Sequence, residues 1–252
     1  MNTTVRHESG RYVYAIIDAE AQKTWNATGV NGRPVYLVPQ GPIAAVVSDI
    51  AERRIRPERR NLVAHHAVVK RVMEAVTMLP VAFGTIAGGQ KAVLKILKDH
   101  GGSFVAQLDH VRGRVEMGLR VSWDVPNIFE YFVTHHVDLA DMRDSVHEQP
   151  RGGARKDKIE LGRLFNHLLA EDREQHVEAV MKVLRSSCEE ITSNPPRNER
   201  EVMHLACLVA RDSKVRFENA VFEAAKRFDN NFKFDFNGPW APHHFCDVVV
   251  DV

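Results

Sequence analysis

The segment Gly113-Arg114-Val115-Glu116-Met117-Gly118-Leu119-Arg120-Val121-Ser122-Trp123-Asp124 lies near the middle of the chain, and its reading decides the fold. From Val115 to Val121 apolar residues alternate with polar or small ones, the period-two pattern of a half-buried strand. Asp124, with Pro126 just beyond it, then reads as a helix start. A carboxylate there can accept orphan N–H bonds, and proline is tolerated in the first turn. Ile128, Phe132, Leu139, Met142 and Val146 continue as one apolar stripe until Pro150-Arg151-Gly152-Gly153 breaks it. A second helix is expected from Arg155 to Ile191, with Leu161, Phe165, Leu168, Val177, Val180, Leu184, Cys188 and Ile191 on one side. At 1.5 Å per residue it would be roughly 55 Å long. The polar stretch Glu171 to His176 is the natural place for a break.

Further along, Val202 to Ala210 reads as a buried strand, and Asp212-Ser213 as the cap of a helix carrying Phe217, Val221, Ala224 and Phe228. Phe232, Phe234 and Phe236 alternate with polar residues, as in a half-buried strand. Asn237-Gly238-Pro239 reads as a turn, and Val248 to Val250 as a last strand. Upstream, Tyr12 to Ile17 is apolar on both faces and suits a central strand. Pro34 to Val38 and Ile43 to Val47 form a hairpin around Pro39-Gln40-Gly41-Pro42. Leu62, His66, Val69, Met73 and Val76 mark a helical face starting near Arg59. Leu79 to Thr85 is a short strand, and Gly88-Gly89 and Gly101-Gly102 bracket a helix with Val93, Leu94 and Leu97. Strands and helices interleave without regular βαβ repetition, so the class is α+β. With 252 residues, two domains are expected, 1–112 and 113–252.

Composition narrows the function classes. The 34 Lys+Arg balance 33 Asp+Glu, so no overall field attracts nucleic acid or an anionic membrane. The three cysteines, Cys188, Cys207 and Cys246, are widely spaced without a C-x-x-C, which indicates neither a disulfide framework nor a Cys-based zinc site. Met1 to Glu8 lacks an apolar signal stretch. The longest purely apolar runs, such as Ile43 to Val47, fall far short of the about 20 residues that span a bilayer. The expectation is a reduced, intracellular, soluble protein.

Thirteen histidines include the pairs His65-His66, His135-His136 and His243-His244. Neighbours on a helix point about 100° apart, so such pairs do not converge on one metal unaided. His243-His244-Phe245-Cys246 is the nearest approach to a ligand cluster, and H-E-x-x-H is absent. Gly84-Thr85-Ile86-Ala87-Gly88-Gly89 lies between a strand and a helix but matches neither the dinucleotide fingerprint nor the Walker spacing, so a turn needing positive φ at Gly88 or Gly89 is favoured. Two basic stretches, Arg53 to Arg60 and Arg151 to Lys158, lack interleaved aromatics and are diluted by Glu52, Glu58 and Asp157, so they read as solvated surface. No catalytic residue, cofactor site or metal site is assigned.

Three segments carry a resemblance. Leu79-Pro80-Val81-Ala82-Phe83-Gly84-Thr85 is similar to an L-P-V-R-F-G-T strand, with Ala82 in place of the usual arginine. Gly113 to Asp124 is similar to G-K-x-E-x-x-L-K-V-x-W-D. Gly238-Pro239-Trp240-Ala241-Pro242-His243-His244-Phe245 is similar to G-P-W-P-P-Y-S-F, departing from it at Ala241, His243 and His244. In this order and spacing, with Tyr12 to Ile16 at the start, the chain resembles the gas vesicle protein F/L family (GvpL/GvpF) over nearly its whole length. The motif residues themselves read as structural: Gly238-Pro239 as a turn, Trp240 as a buried ring, Pro242 as a stiff exit.

The resemblance implies two α+β domains, the C-terminal one a modified ferredoxin-like fold with a long helical insert. It also implies a non-enzymatic accessory or structural protein required for gas vesicle formation, located in the cytoplasm at the gas vesicle. Its implied partners are the hydrophobic shell protein and other gas vesicle accessory proteins, with no nucleic acid, lipid membrane or cofactor. Binding to the shell protein would limit its aggregation during assembly, with the helices between 124 and 191 expected to supply the surface. The alternatives are a minor component of the vesicle wall, a scaffold linking accessory proteins and, more remotely, a metal enzyme using His243, His244 and Cys246.

Overall fold

The computed structural model describes residues 9–21, 27–148 and 155–248. The chain forms two compact units, Met1–Glu116 with Pro239–Val252, and Met117–Gly238.

The first unit is built on β1 (Gly10–Asp18), whose Tyr12 to Ile17 are buried on both faces, as a central strand requires. It pairs antiparallel with β3 (Ile43–Ile50), from Gly10↔Ile50 to Asp18↔Ile43, with a slip between Val13 and Ala15. β2 (Val35–Gln40) lies outside β3, and the hairpin turn is only Gly41-Pro42, with Gly41 at φ +59°. The opposite edge of β1 is shared by β4 (Met78–Pro80) and β5 (Ile86–Ala87), so the strand expected from Leu79 to Thr85 stops at Pro80.

Between β3 and β4, α1 (Arg59–Ala75) buries Asn61, His65, Val68, Val69, Val72 and Met73. Of the face expected from apolar spacing, Val69 and Met73 are buried with this line and Val76 packs against it, whereas His66 is exposed and Leu62 is 42% exposed. The helix chooses a line containing two polar residues because both find partners. Asn61 Nδ2 donates to the Arg56 carbonyl at 3.1 Å, and His65 meets Tyr12 at 3.0 Å. α2 (Gln90–Asp99) is followed by α3 (Gly101–His110), a helix hidden by its two leading glycines. Its Phe104 and Leu108, one turn apart, are buried.

The second unit begins with most of β6 (Arg114–Trp123) and continues through α4 (Ile128–His135), α5 (Val137–Glu148), α6 (Arg155–Leu184), β7 (Glu190–Asn194), β8 (Glu201–Ala210), α7 (Lys214–Ala225) and β9 (Phe232–Trp240). The strand order is β7-β8-β6-β9. Asn127, not Asp124, caps α4: its side-chain oxygen accepts from Phe129 N–H at 3.0 Å and Glu130 N–H at 3.3 Å. Asp124 instead donates its N–H to the Asn231 carbonyl at 2.6 Å, prolonging the sheet. The stripe from Ile128 to Val146 belongs to two helices, separated where His136 adopts extended dihedrals.

α6 is continuous through Glu171 to His176, because those polar residues are used. Arg173 donates to the carbonyls of Asn198, Glu199 and Glu201 at 2.9 to 3.0 Å, and His176 packs against Phe228 and Phe232. The helix ends at Leu184. Ile191, read as the last helical residue, lies instead in β7 with the β-branched Thr192, opposite Cys207 and Ala206. Ser213 occupies the N-cap of α7, which ends before Phe228. β9 runs straight through Asn237-Gly238-Pro239, with Gly238 at φ +123°, so the expected turn is a local distortion of a strand. Val248 is not in a strand, and 249–250 lie outside the described residues.

Two cores result. In the second unit Trp123, Phe132, Phe165, Leu169, Val180 and Leu184 are buried together with Leu205, Cys207 and Phe217. In the first unit Tyr14 is the least forgiving element. Its fully buried hydroxyl accepts the Val30 N–H at 2.8 Å and shares a hydrogen bond with Ser48 at 2.8 Å. A Cβ at Gly29 would lie 2.1 Å from that oxygen. Gly29→Ala therefore must displace the phenol, and a loss of about 1–3 kcal/mol is expected. Urea denaturation should show a lower midpoint with an unchanged slope.

Candidate functional site

The adjacent histidines separate as helix geometry demands. His65 on α1 enters the core of the first unit, while His66 turns to a solvent-open cleft. The Gly84 N–H donates to Tyr12 Oη at 3.0 Å, and the same hydroxyl shares a hydrogen bond with His65 Nδ1 at 3.0 Å. Burial, reinforced by His243 and His66, lowers the pKa of His65 to about 4. The same Gly84 contact occupies a backbone N–H that a phosphate cradle would need. Of the two candidate glycines only Gly89 has positive φ, at +128° ahead of α2.

The cleft lies wholly within the first unit and has a volume of about 450 Å³. α1 supplies His66, Val69, Lys70 and Met73 to one wall. Pro239 and Trp240 at the end of β9, with Ala241, His243 and His244, supply the other, and Glu116 lies between them. Trp240, expected to be a buried ring, is 39% exposed and meets His66 edge-on at 5.5 Å between ring centres. The wall thus combines His66 and Lys70, which the core leaves unused, with the outer edges of the buried Val69 and Met73. Leu62 precedes it by one turn, and the exposed Val63 stands beside it.

Glu116 fixes this geometry. Its carboxylate is buried and accepts from the His244 backbone N–H at 2.9 Å and from Nδ1 of the His244 ring at 2.7 Å. A few residues on, Gln107 clamps the Asp247 backbone at both ends, with bonds of 3.0 and 2.7 Å. Ala241 and Val115 complete the adjoining core. Glu116 was legible in the sequence only as a strand residue. Lys70 and Met73 carried no signal beyond the helical period.

His243 and His244 stand in a short 3-10 turn with Phe245. Burial lowers the pKa of His243 and raises that of the Cys246 thiol to about 12, with Glu116 adding to the latter, so Cys246 is a protonated thiol. Among the described residues no three of His, Cys, Asp and Glu are placed to hold a metal ion. His135 and His136 lie elsewhere, near the Tyr131 carbonyl and Asp172 respectively. Arg53, Arg54, Arg56, Arg59 and Arg60 are exposed, and Arg60 pairs with Glu58 at 2.9 Å. Of the second basic stretch, residues 151–154 lie outside the described residues, and Arg155, Lys156 and Lys158 are exposed at the start of α6. Among the described residues no helix is long and apolar enough to cross a membrane.

The chain is thus a mixed α and β protein with an open cleft in its first unit. The sequence model described as "Gas vesicle synthesis protein GvpL/GvpF" matches residues 10–247, and the chain belongs to this family. It is 22% identical to gas vesicle protein F of Nostoc sp., over 95% of this chain and 99% of that protein. It is 26% identical to gas vesicle protein L1 of Halobacterium salinarum, over 96% and 92%. The crystal structure of GvpF from Anabaena sp. superimposes with a TM-score of 0.83 at 22% identity, covering 94% of this chain and 98% of that one. The structure from Microcystis aeruginosa gives 0.80 at 19% identity, with the same coverage.

The buried histidines make stability pH-dependent. Both His65 and His243 have folded pKa values below those of the unfolded chain, so the unfolded state binds more protons as pH falls. Stability is full above about pH 6.5 and declines toward pH 4, with His65 accounting for up to about 3 kcal/mol. His65→Gln keeps an acceptor for Tyr12 but cannot titrate. Urea midpoints measured from pH 7.5 to 4.5 should fall less steeply for this variant than for the parent.

Proposed function

We propose that this protein is a non-enzymatic accessory factor of gas vesicle formation that binds the hydrophobic shell protein and limits its aggregation before it joins the wall. The observation that carries the reading is the cleft between α1 and Trp240. It lies at the lower end of the roughly 300–1,000 Å³ typical of ligand-sized clefts, opens to solvent, and adjoins the exposed Leu62 and Val63. An apolar side chain of a partner helix seated there would cover the exposed Trp240 ring and rest on the outer edges of Val69 and Met73 without disturbing the core beneath. Membership of a gas vesicle synthesis family supports the setting, with the protein acting in the cytoplasm at the vesicle.

This placement moves the surface away from the helices between 124 and 191. Their stripe is consumed by the core of the second unit: Phe165, Leu169, Val180 and Leu184 are buried, and Leu161, Leu164, Leu168, Val177 and Met181 pack against them. Among the described residues of that span, Val137 and Ile159 are the large apolar side chains left exposed. We read the second unit as a modified ferredoxin-like domain with α4 to α6 as its long insert. The β-α-β-β-α-β sequence and the strand order β7-β8-β6-β9 support this. Domains at 1–112 and 113–252 remain our proposal, amended by the return of Pro239–Val252 to the first unit.

The test is co-expression of the tagged full-length chain with the shell protein, following capture and solubility together. The parent should capture the shell protein and keep it soluble. Trp240→Glu and Leu62→Glu should each reduce capture by about tenfold or more with unchanged circular dichroism, and Ile159→Glu should not. Loss at Ile159→Glu alone would return the surface to α6. No capture by the parent would favour a minor wall component or a scaffold for other accessory proteins.

A further inference from the structure

The cysteines of the second unit take no part in the cleft, yet two of them meet. Cys207 lies on β8, fully buried and facing the helices, directly opposite Ile191 of β7. Cys188 lies in the short link between α6 and β7. Its own N–H donates to the Leu184 carbonyl at 3.1 Å, and the following Glu189 N–H donates to the Leu208 carbonyl at 2.8 Å. These two backbone bonds fold the link over the end of β8 and bring the Cys188 thiol into hydrogen-bonding contact with the Cys207 thiol, and Ser187 Oγ lies 3.8 Å from Cys188 Sγ. Both thiols are free. Cys188 is only half-buried and Cys207 is enclosed, so a reagent reaches the first and not the second.

We propose that Cys188 and Cys207 form a reversible oxidation site, in which Cys188 reacts with a hydroperoxide and Cys207 resolves the product as an intramolecular disulfide. The Cys188 thiolate attacks the peroxide O–O bond. An S–O bond forms, the O–O bond breaks, and the departing oxygen takes a proton as water or an alcohol. The Cys207 sulfur then attacks the sulfenic sulfur of Cys188. The S–S bond forms, the S–O bond breaks, and hydroxide leaves as water with the proton from Cys207. The two electrons lost by the thiols reduce one peroxide, and a dithiol reverses the change.

The local electrostatics agree with this division of roles. The hydrogen bond from Cys207, aided by Ser187, favours the Cys188 thiolate and draws its pKa below the ordinary thiol value against the effect of burial. The disulfide would tie the end of α6 to β8, closing residues 189–206 into a loop that contains β7. Cys246 is the internal comparison, a half-buried thiol that the fold keeps protonated.

The experiment oxidises the full chain with a small excess of hydrogen peroxide, counts thiols after denaturation and maps tryptic peptides without reduction. Cleavage after Arg185, Arg197, Arg200 and Arg211 places Cys188 in peptide 186–197 and Cys207 in peptide 201–211. The expected result is loss of two of the three thiols, a linked pair of these peptides, and recovery of both thiols with dithiothreitol. Cys246→Ser should leave the link intact, and Cys188→Ser should abolish it while retaining the parent's circular dichroism. Three unreacted thiols, a link involving Cys246, or Cys188 advancing to sulfinic acid without joining Cys207 would each overturn the proposal.

Discussion

The first unit depends on a carboxylate that is removed from water yet fully engaged. Glu116 leaves the start of β6 buried, and an unpaired charge there would be costly. Two donors from one residue, the backbone N–H and ring Nδ1 of His244, meet it at 2.9 and 2.7 Å. That clasp holds the segment from Pro239 onward on the first unit and gives the cleft its second wall. The wall residues Trp240 and Ala241 therefore owe their positions to a polar contact, with the clamp of Gln107 on Asp247 as a second anchor in that stretch. His244 stands where the resembling motif has serine, so this chain makes the contact with a residue of its own choosing.

The two units spend their apolar surface differently. In the second, the long α6 lies against a sheet whose β8 is buried along nearly its whole length. Arg173, stacked over the Trp123 ring at 5.7 Å, also binds three carbonyls of the β7–β8 connection. The large apolar side chains left exposed on that unit's described helices are Val137, Ile159, Val215 and Phe222. In the first, α1 carries two parallel lines of side chains. The core takes the line through Asn61, His65, Val68 and Val72 together with Val69 and Met73, and Leu62, His66 and Lys70 face the cleft or solvent. Leu62, Val63 and Trp240 are thereby left exposed beside the clasp.

Much of this was legible in the sequence where one physical signal acted alone. β1 was readable because nothing but a central strand accounts for Tyr12 to Ile17, and β6 because its alternation is unbroken. The family was readable from three motifs in order, and its match now extends over residues 10–247. Signals failed where a polar group was satisfied inside the fold. Asn61 and His65 fall outside the apolar spacing of α1, and their partners, the Arg56 carbonyl and Tyr12, are set by tertiary structure. Asp124 looked like a cap because its carboxylate suits one, but its backbone serves the sheet while Asn127 serves the helix. Gly101-Gly102 and Gly238-Pro239 looked like breaks, yet the burial of Phe104 and Leu108 carries a helix past the first pair and β9 continues through the second. The cleft was invisible for the same reason. Its walls are over a hundred residues apart, and Trp240 reads as core until the clasp is known.

The most direct measurement of the central claim is hydrogen–deuterium exchange of the full chain with and without the shell protein. Slower exchange confined to peptides covering residues 62–73 and 239–244 is the predicted result, with 155–184 unchanged. Protection of 155–184 instead, or none at the cleft despite binding, would contradict it.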